Sequence, residues 1–254
     1  MRVIVTRPAA QAQEWVQRLR GRGLDAVALP LICIAPVADP SALRRAWQTL
    51  AMRRLVVFVS PNAVRQFFAH RPALAAWPAP LWAASPGPGT THELLTLGVP
   101  AARVVAPDPQ AAQVDSEALW AQLQARDWRD AGVLIVRGDG GRDWLARTLQ
   151  GQGAVVEHVT AYQRSVPQLQ PAEIELARAA WAEPASHAWL FSSAEAVDNL
   201  ATSLPWPARP PAGALAVVTH PRIGERARQA GFDRVLASRP LFEDMVACIQ
   251  SIEP

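Results

Sequence analysis

The sequence predicts an α/β protein made of two doubly wound parallel-sheet domains related by duplication. Three observations lead there. Unbroken apolar runs such as Val133-Leu134-Ile135-Val136 suit strands covered on both faces, as in a parallel sheet. These runs alternate with helical segments of roughly 10–15 residues, the mark of βαβ units. The chain also repeats itself at a near-constant offset, and a repeat is settled before a fold is chosen.

The clearest unit spans Val133 to Arg164. Its apolar strand ends at Arg137 and gives way to Gly138-Asp139-Gly140-Gly141, where glycines allow positive φ and close approach of a ligand. A helix with Trp144, Leu145, Thr148 and Leu149 on one face is expected next, stopped by Gly151 and Gly153. A second extended run, Ala154 to Arg164, carries Tyr162, the only tyrosine. Ligands of open α/β sheets bind beyond the carboxyl ends of the strands, where this basic, glycine-rich loop lies.

The first half repeats the pattern. VIVTRP opens it, a helix follows with Ala12, Trp15, Val16 and Leu19 on one face, and Gly23 ends that helix before an extended run to Ala35. Arg7 and Arg137, like Gly23 and Gly153, are 130 apart. Ser60 and Ser193, Pro88 and Pro221, and Gly98 and Gly231 are each 133 apart. Two similar halves predict two domains with a cleft between them, a common ligand site. The simplest cut lies near Ala131, but Leu29–Val37 and Val159–Pro167 hold equivalent places and could instead be paired linkers between domains that exchange parts. Three proline-rich stretches read as connectors: Pro72–Pro80, Pro205–Pro211, and Pro107–Asp115 before a helix near Glu117–Ala125 that Asp115 or Ser116 would cap.

The 254 residues are ample for two domains. No apolar run approaches the roughly 18 residues of a membrane helix, and the strand-like start MRVIVTRP does not resemble a signal peptide, so a cytoplasmic protein is expected. Cys33 and Cys248 match no metal spacing. All 25 basic residues are arginines, which suit carboxylates and phosphates, although a GC-rich genome alone would favour them. A net charge of +3 without a basic run argues against nucleic acid.

The strand-end loops gather Thr6-Arg7-Pro8, Ser60-Pro61-Asn62, Ser85 to Thr90, Arg137 to Arg142, Ser192-Ser193 and Thr219 to Arg222. Hydroxyls, arginines and helix starts together describe an anion site. Ser60 and Ser193 lack a nucleophile elbow, and their plainer reading is as N-caps. The five histidines show no ligand spacing; His220 is the best placed, although a turn histidine explains it equally. No dinucleotide or P-loop fingerprint exists, and the Arg137-Gly138-Asp139 triplet carries no weight as an adhesion motif. Tyr162 is balanced between packing and function. From the residues alone, a cleft for an anionic small molecule is expected, with catalysis or simple binding both open; a nucleotide-sugar transferase is weakened by the missing phosphate fingerprint.

In order and spacing, VTRP, FVSPNAV, GPGT, IVRGDGGRDWLARTLQGQGAVVEHVTAYQR, FSSAEAV and VVTHPRIGERARQAG resemble the uroporphyrinogen-III synthase family over nearly the whole chain. The resemblance implies one domain from 1–34 and 166–254, another from 35–165, and a two-stranded linker ladder of about 29–37 and 159–167. It implies a cofactor-independent lyase (hydro-lyase) of heme biosynthesis that cyclises hydroxymethylbilane to uroporphyrinogen III, with inversion of ring D and loss of water. It implies no metal, flavin or nucleotide, a cytoplasmic monomer, and at most transient contact with neighbouring pathway enzymes. Tyr162, matching the family's Y-x-R element, is expected to hydrogen-bond the departing hydroxyl. Thr6, Arg7, Ser60, Asn62, Thr90, Arg137, Gly138, Arg142, Ser193, Thr219, His220 and Arg222 are expected to hold the substrate, whose eight carboxylates need many donors.

Overall fold

A computed structural model describes residues 1–108, 111, 113–204 and 209–252. In chain order the elements begin β1 (Arg2–Val5), α1 (Ala9–Arg20), β2 (Asp25–Ala28), β3 (Cys33–Pro36) and α2 (Ser41–Gln48). Next come β4 (Leu55–Phe58), α3 (Pro61–Phe68), β5 (Trp82–Ala84), α4 (Pro88–Thr96), β6 (Val104–Val105) and α5 (Ser116–Leu123). Then follow β7 (Gly132–Gly138), α6 (Trp144–Gly151), β8 (Val155–Ser165), α7 (Pro171–Ala182) and β9 (His187–Phe191). The chain continues with α8 (Ala194–Ser203), β10 (Leu215–Val218), α9 (Pro221–Ala230), β11 (Arg234–Ala237) and α10 (Phe242–Gln250). Two compact units form: Met1–Cys33 with Ser165–Pro254, and Ile34–Arg164.

The discontinuous unit has the sheet order β11-β10-β9-β1-β2, all parallel. By their sequence within the unit, the strands lie second-first-third-fourth-fifth. The order reverses between β1 and β9, so the crevice at their carboxyl ends is this unit's switch point. One face of the sheet packs Val3, Val5, Leu190 and Val217 on Trp15, Leu19, Met245 and Ile249 of α1 and α10. The expected stripe of α1 is buried in full: Ala12, Trp15, Val16 and Leu19.

The continuous unit has the order β3-β8-β7-β4-β5-β6, with β8 through β6 parallel. Its switch point lies between β7 and β4. Alternate residues serve the two faces, as the strand period requires. Val56, Phe58, Leu134 and Val136 face α2, α3 and α4, whereas Leu55, Val57, Val133 and Ile135 face α5 and α6. Burial on both faces explains why these strands read as unbroken apolar runs. In α6 the buried stripe is Leu145, Ala146 and Leu149, and Trp144 is 38 % exposed. The expected face through Trp144 and Thr148 is therefore corrected by about one position, because Ala146, too small to signal amphipathicity, closes against the sheet. The run from Leu29 is also not one strand: β2 stops at Ala28 and β3 starts at Cys33, beside the continuous β8 at the sheet edge.

The duplication is visible in backbone and side chains. Val5 aligns with Ala28 in β1–β2 and Ile135 with His158 in β7–β8, the same register shifted by 130. Gly23 and Gly153 both take positive φ, +78° and +87°, as do Gly98 and Gly231, at +90° and +109°. In one unit Arg65 Nη2 meets Glu93 Oε2 at 2.7 Å, joining α3 to α4. In the other, Asp198 and Arg226 join α8 to α9. Arg65 corresponds to Asp198 and Glu93 to Arg226, each 133 along, so the bridge has kept its place and exchanged its signs.

Asp115 caps α5, accepting from Ala118 N at 2.9 Å. The Pro107–Asp115 and Pro205–Pro211 connectors fall partly outside the described residues, at 109, 110, 112 and 205–208. No described helix is long and apolar enough to cross a membrane.

Candidate active site

The continuous unit brings four loops to the carboxyl edge of β8, β7, β4 and β5. Beyond β4, Ser60 is the N-cap of α3 and accepts from Ala63 N at 3.1 Å, with Pro61 in the first turn, where its missing N–H costs nothing. Two strands away, Tyr162 is only 4 % exposed, and its hydroxyl meets Ser60 Oγ at 2.9 Å.

Strict alternation would not put Tyr162 there. Val159 and Ala161 are both buried, so the next residue should point to the opposite face. The pairing slips instead: Arg137 aligns with Thr160, but Gly138 aligns with Tyr162. This bulge, unusual between parallel strands, turns Tyr162 back into the same cluster as Phe58 and Val136. Its ring then lies on the backbone of Gly138. A Cβ at that position would sit 2.7 Å from Cε2 and 2.8 Å from Cζ of Tyr162. Below the bulge, Asp139 N donates to Tyr162 O at 3.0 Å, Arg164 N donates to Asp139 Oδ1 at 2.9 Å, and Arg164 Nη2 donates to Asp139 O at 2.9 Å. Gly138 and Asp139, two residues of the triplet that carried no weight as an adhesion motif, thus seat the tyrosine. Asp139 and Arg164 were not among the expected site residues, although Asp139 lies in the glycine-rich loop and Arg164 closes the Y-x-R element.

The expected arginines of this edge are engaged. Arg137 Nη1 donates to Asp143 Oδ1 at 2.5 Å and holds that carboxyl below its ordinary range. His158, across the β7–β8 pair, is pushed below its ordinary value by burial and then by Arg137. Arg142 forks onto Glu117 at 2.8 and 3.2 Å, because the capped first turn of α5 presents that carboxylate, which is lowered in turn by Arg142. Thr90 is buried in the first turn of α4, a helix with no side-chain cap, while Ser85 Oγ and Thr91 Oγ1 share a hydrogen at 2.6 Å. Asn62 is half-buried in the first turn of α3.

The discontinuous unit carries the rest. Thr6 is 1 % exposed, and its hydroxyl donates to Leu190 O at 2.8 Å. That proton is committed to the Leu190 carbonyl. Arg7 is different. Its guanidinium stacks 4.2 Å over Trp15, its Nε is buried without a hydrogen-bond partner, and burial pushes its pKa down to about 10. A desolvated, incompletely satisfied cation is what a ligand anion would relieve. Ser193 caps α8 through Glu195 N at 3.2 Å; His220 caps α9 and accepts from Arg222 N at 3.1 Å; Thr219 lies beside it at the end of β10. The two edges have diverged. At the positions 130 before Gly138 and Tyr162 stand Pro8 and Ile32, so the hydroxyl pair exists only in the continuous unit.

No described group of His, Cys, Asp and Glu is arranged to hold a metal ion, and both cysteines are free thiols. The fold and these edges define a class: a protein of two doubly wound α/β units whose strand ends carry hydroxyls and guanidiniums. Solved structures share the fold over the full chain. A mutant uroporphyrinogen III synthase from Thermus thermophilus superposes with a TM-score of 0.61 at 17 % identity, covering 99 % of this chain and 98 % of that one. The uroporphyrinogen-III synthetase of Helicobacter pylori gives 0.59 at 12 %, covering 100 % of each. A family model described as uroporphyrinogen-III synthase HemD matches residues 13–247. The uroporphyrinogen-III synthase of Proteus mirabilis is 31 % identical over 167 residues, 65 % of this chain and 80 % of the relative. That of Salmonella typhimurium is 33 % identical over 180 residues, 68 % of this chain and 69 % of the relative. The chain belongs to the uroporphyrinogen-III synthase family.

Proposed function

We propose that the protein cyclises hydroxymethylbilane to uroporphyrinogen III with inversion of ring D and loss of water, on the carboxyl edge of the continuous unit. The observation that carries this placement is the Ser60–Tyr162 hydroxyl pair at the β7/β4 switch point, seated on a glycine that admits the ring. Tyr162 hydrogen-bonds the departing hydroxyl. The C–O bond breaks with its electron pair on oxygen, the Tyr162 proton joins that oxygen to form water, and the pyrrole nitrogen's lone pair stabilises the carbon as an azafulvene cation. Attack through the substituted carbon of ring D gives a spiro intermediate that fragments and recloses inverted, and the proton expelled from the unsubstituted ring D carbon on closure returns to Tyr162. The spontaneous reaction gives the uninverted isomer I, so the protein's main task is to hold geometry, a large catalytic term in itself.

Arg7, whose buried Nε has no hydrogen-bond partner, is the first choice for a carboxylate contact. Asn62, Thr90, Arg137, Arg142, Ser193, Thr219, His220 and Arg222 supply further contacts. Arg137 and Arg142 would do so while shared with Asp143 and Glu117. The site requires no metal, flavin or nucleotide. We place the protein in the cytoplasm as a monomer. The test is a product assay: hydroxymethylbilane generated in situ, purified protein without added cofactor, oxidation and separation of the uroporphyrin isomers. Isomer III in excess over a protein-free control is the expected result. Isomer I alone at the spontaneous rate would leave a protein that binds an anionic small molecule without chemistry.

A further inference from the structure

We infer that Ser60 is a positioning residue that acts through Tyr162, turning its proton onto the tyrosine oxygen as the tyrosine's own proton moves to the leaving hydroxyl. The inference rests on the role proposed above for Tyr162 and adds the group that makes the role workable.

The geometry supplies each part. Ser60 Oγ stands between two partners: it accepts from Ala63 N at 3.1 Å and lies 2.9 Å from Tyr162 Oη. A hydroxyl has one proton to give. If Tyr162 donated to Ser60, that proton would be withheld from the substrate, and the negative charge left on Oη after transfer would face a lone pair. With Ser60 donating, the Tyr162 proton is released outward and the developing phenolate is met by an O–H. The Ala63 amide strengthens this arrangement, because an oxygen that already accepts is a better donor. Behind it lies the amino end of α3, whose field favours negative charge nearby. The benefit is largest when charge has built up on Oη, so it acts on the transition state rather than on substrate binding. Burial of Tyr162 and its seat on Gly138 leave the ring no other place to aim. The duplicated partner isolates the feature: Ser193 also caps its helix, accepting from the amide two residues on where Ser60 accepts three on, but Ile32 stands where the tyrosine would be, so capping alone does not require the pair.

The deciding variant is Ser60→Asp. Aspartate keeps the capping acceptor for Ala63 N but has no proton to give at neutral pH. A residue that merely capped α3 would be replaced without loss. The expected result is a folded protein with an undiminished Tm and a kcat reduced about as far as by Tyr162→Phe, roughly 10²-fold. KM is recorded separately, because an added carboxylate can repel the substrate without touching kcat. Ser60→Thr restores both cap and donor and should hold kcat within about threefold of wild type. Because the two hydroxyls act as one unit, Ser60→Asp combined with Tyr162→Phe should be no slower than Tyr162→Phe alone.

A second readout needs no turnover. The chain has one tyrosine, so selective 13C labelling at Cζ gives a single resonance that reports its hydroxyl's hydrogen bond. It should move in Ser60→Ala and Ser60→Asp and stay in Ser60→Thr. Wild-type kcat in Ser60→Asp, a multiplicative loss in the double variant, or an unmoved resonance in Ser60→Ala would each overturn the inference while leaving Tyr162 in its role. Wild-type kcat in Tyr162→Phe would instead remove the role itself.

Discussion

Replacing Gly138 with alanine tests whether the seat under Tyr162 sets the chemistry. The glycine's φ is not in the left-handed region, so alanine meets no backbone penalty there. The whole effect comes from one methyl group. It would lie 2.7 Å from Cε2, 2.8 Å from Cζ and 3.2 Å from Oη of Tyr162. Ordinary contact begins near 3.5 Å, so the ring and β7 must part by roughly 0.8 Å, an overpacking change that typically costs about 1–3 kcal/mol. The ring cannot swing inward, because Phe58, Val136 and Ala161 share its cluster. It must lift along the direction that carries Oη past Ser60, and the 2.9 Å contact is lost. A misplacement of about 1 Å at a reacting group can cost roughly 10²-fold in rate. The assay pairs a denaturant titration with kcat for isomer III under saturating bilane. The expected outcome is a loss of about 1–3 kcal/mol together with a kcat loss near that of Tyr162→Phe. A stable variant with wild-type kcat, or a structure of Gly138→Ala with Tyr162 unmoved, would refute the seating argument.

Tyr162→Phe removes one hydroxyl and should lower kcat roughly 10²-fold with little change in KM, which steady-state kinetics on isomer III will show. Arg7→Met removes a desolvated guanidinium while keeping the stem over Trp15. Tm should be no lower than wild type, whereas KM rises about tenfold through one lost charged contact; a lowered Tm with unchanged KM would make Arg7 structural. Asp143 is held below its ordinary value of 3.8 by Arg137. A lowered folded-state pKa contributes stability that is complete above 3.8 and is lost as pH falls through the lower folded value. Asp143→Asn should abolish that acid-side dependence in unfolding measured against pH, and a profile identical to wild type would argue against the pair. Glu93→Arg sets two like charges together and should cost about 1–2 kcal/mol, while adding Arg65→Asp to it recreates the sign order of Asp198–Arg226 and recovers most of the loss. Equal denaturation midpoints for the single and double variants would contradict this.

Much of the molecule was legible in the residues themselves. Strands buried on both faces leave unbroken apolar runs, and helices ended by positive-φ glycines leave those glycines in place. Val133–Val136, Gly23, Gly153, Gly98 and Gly231 therefore announced the two sheets and their duplication. The caps Ser60 and Ser193 were readable because a side-chain oxygen before a helix has few other uses, and the choice between Asp115 and Ser116 for α5 was left to the structure, which takes Asp115. Tyr162 stood out only by being alone and by matching a motif. What the sequence could not express is how a side chain spends its hydrogen bonds. Thr6 and Arg7 are neighbours in one loop, yet the threonine's proton is taken by Leu190 and the arginine's Nε is left without a partner. Arg142 looked like a free cation until α5 delivered Glu117 to it. Most of all, period-two alternation directs Tyr162 to the opposite face of the sheet, and only the slip in the β7–β8 pairing returns it to the face of Phe58 and Val136. The sequence by itself determined the two sheets, their repeat and the loops at their strand ends, because local periodicity and capping are written in neighbouring residues. Tertiary structure alone decided that Ser60, Gly138 and Tyr162 meet, because a bulge in one strand is defined only against its partner and these three residues share no spacing along the chain.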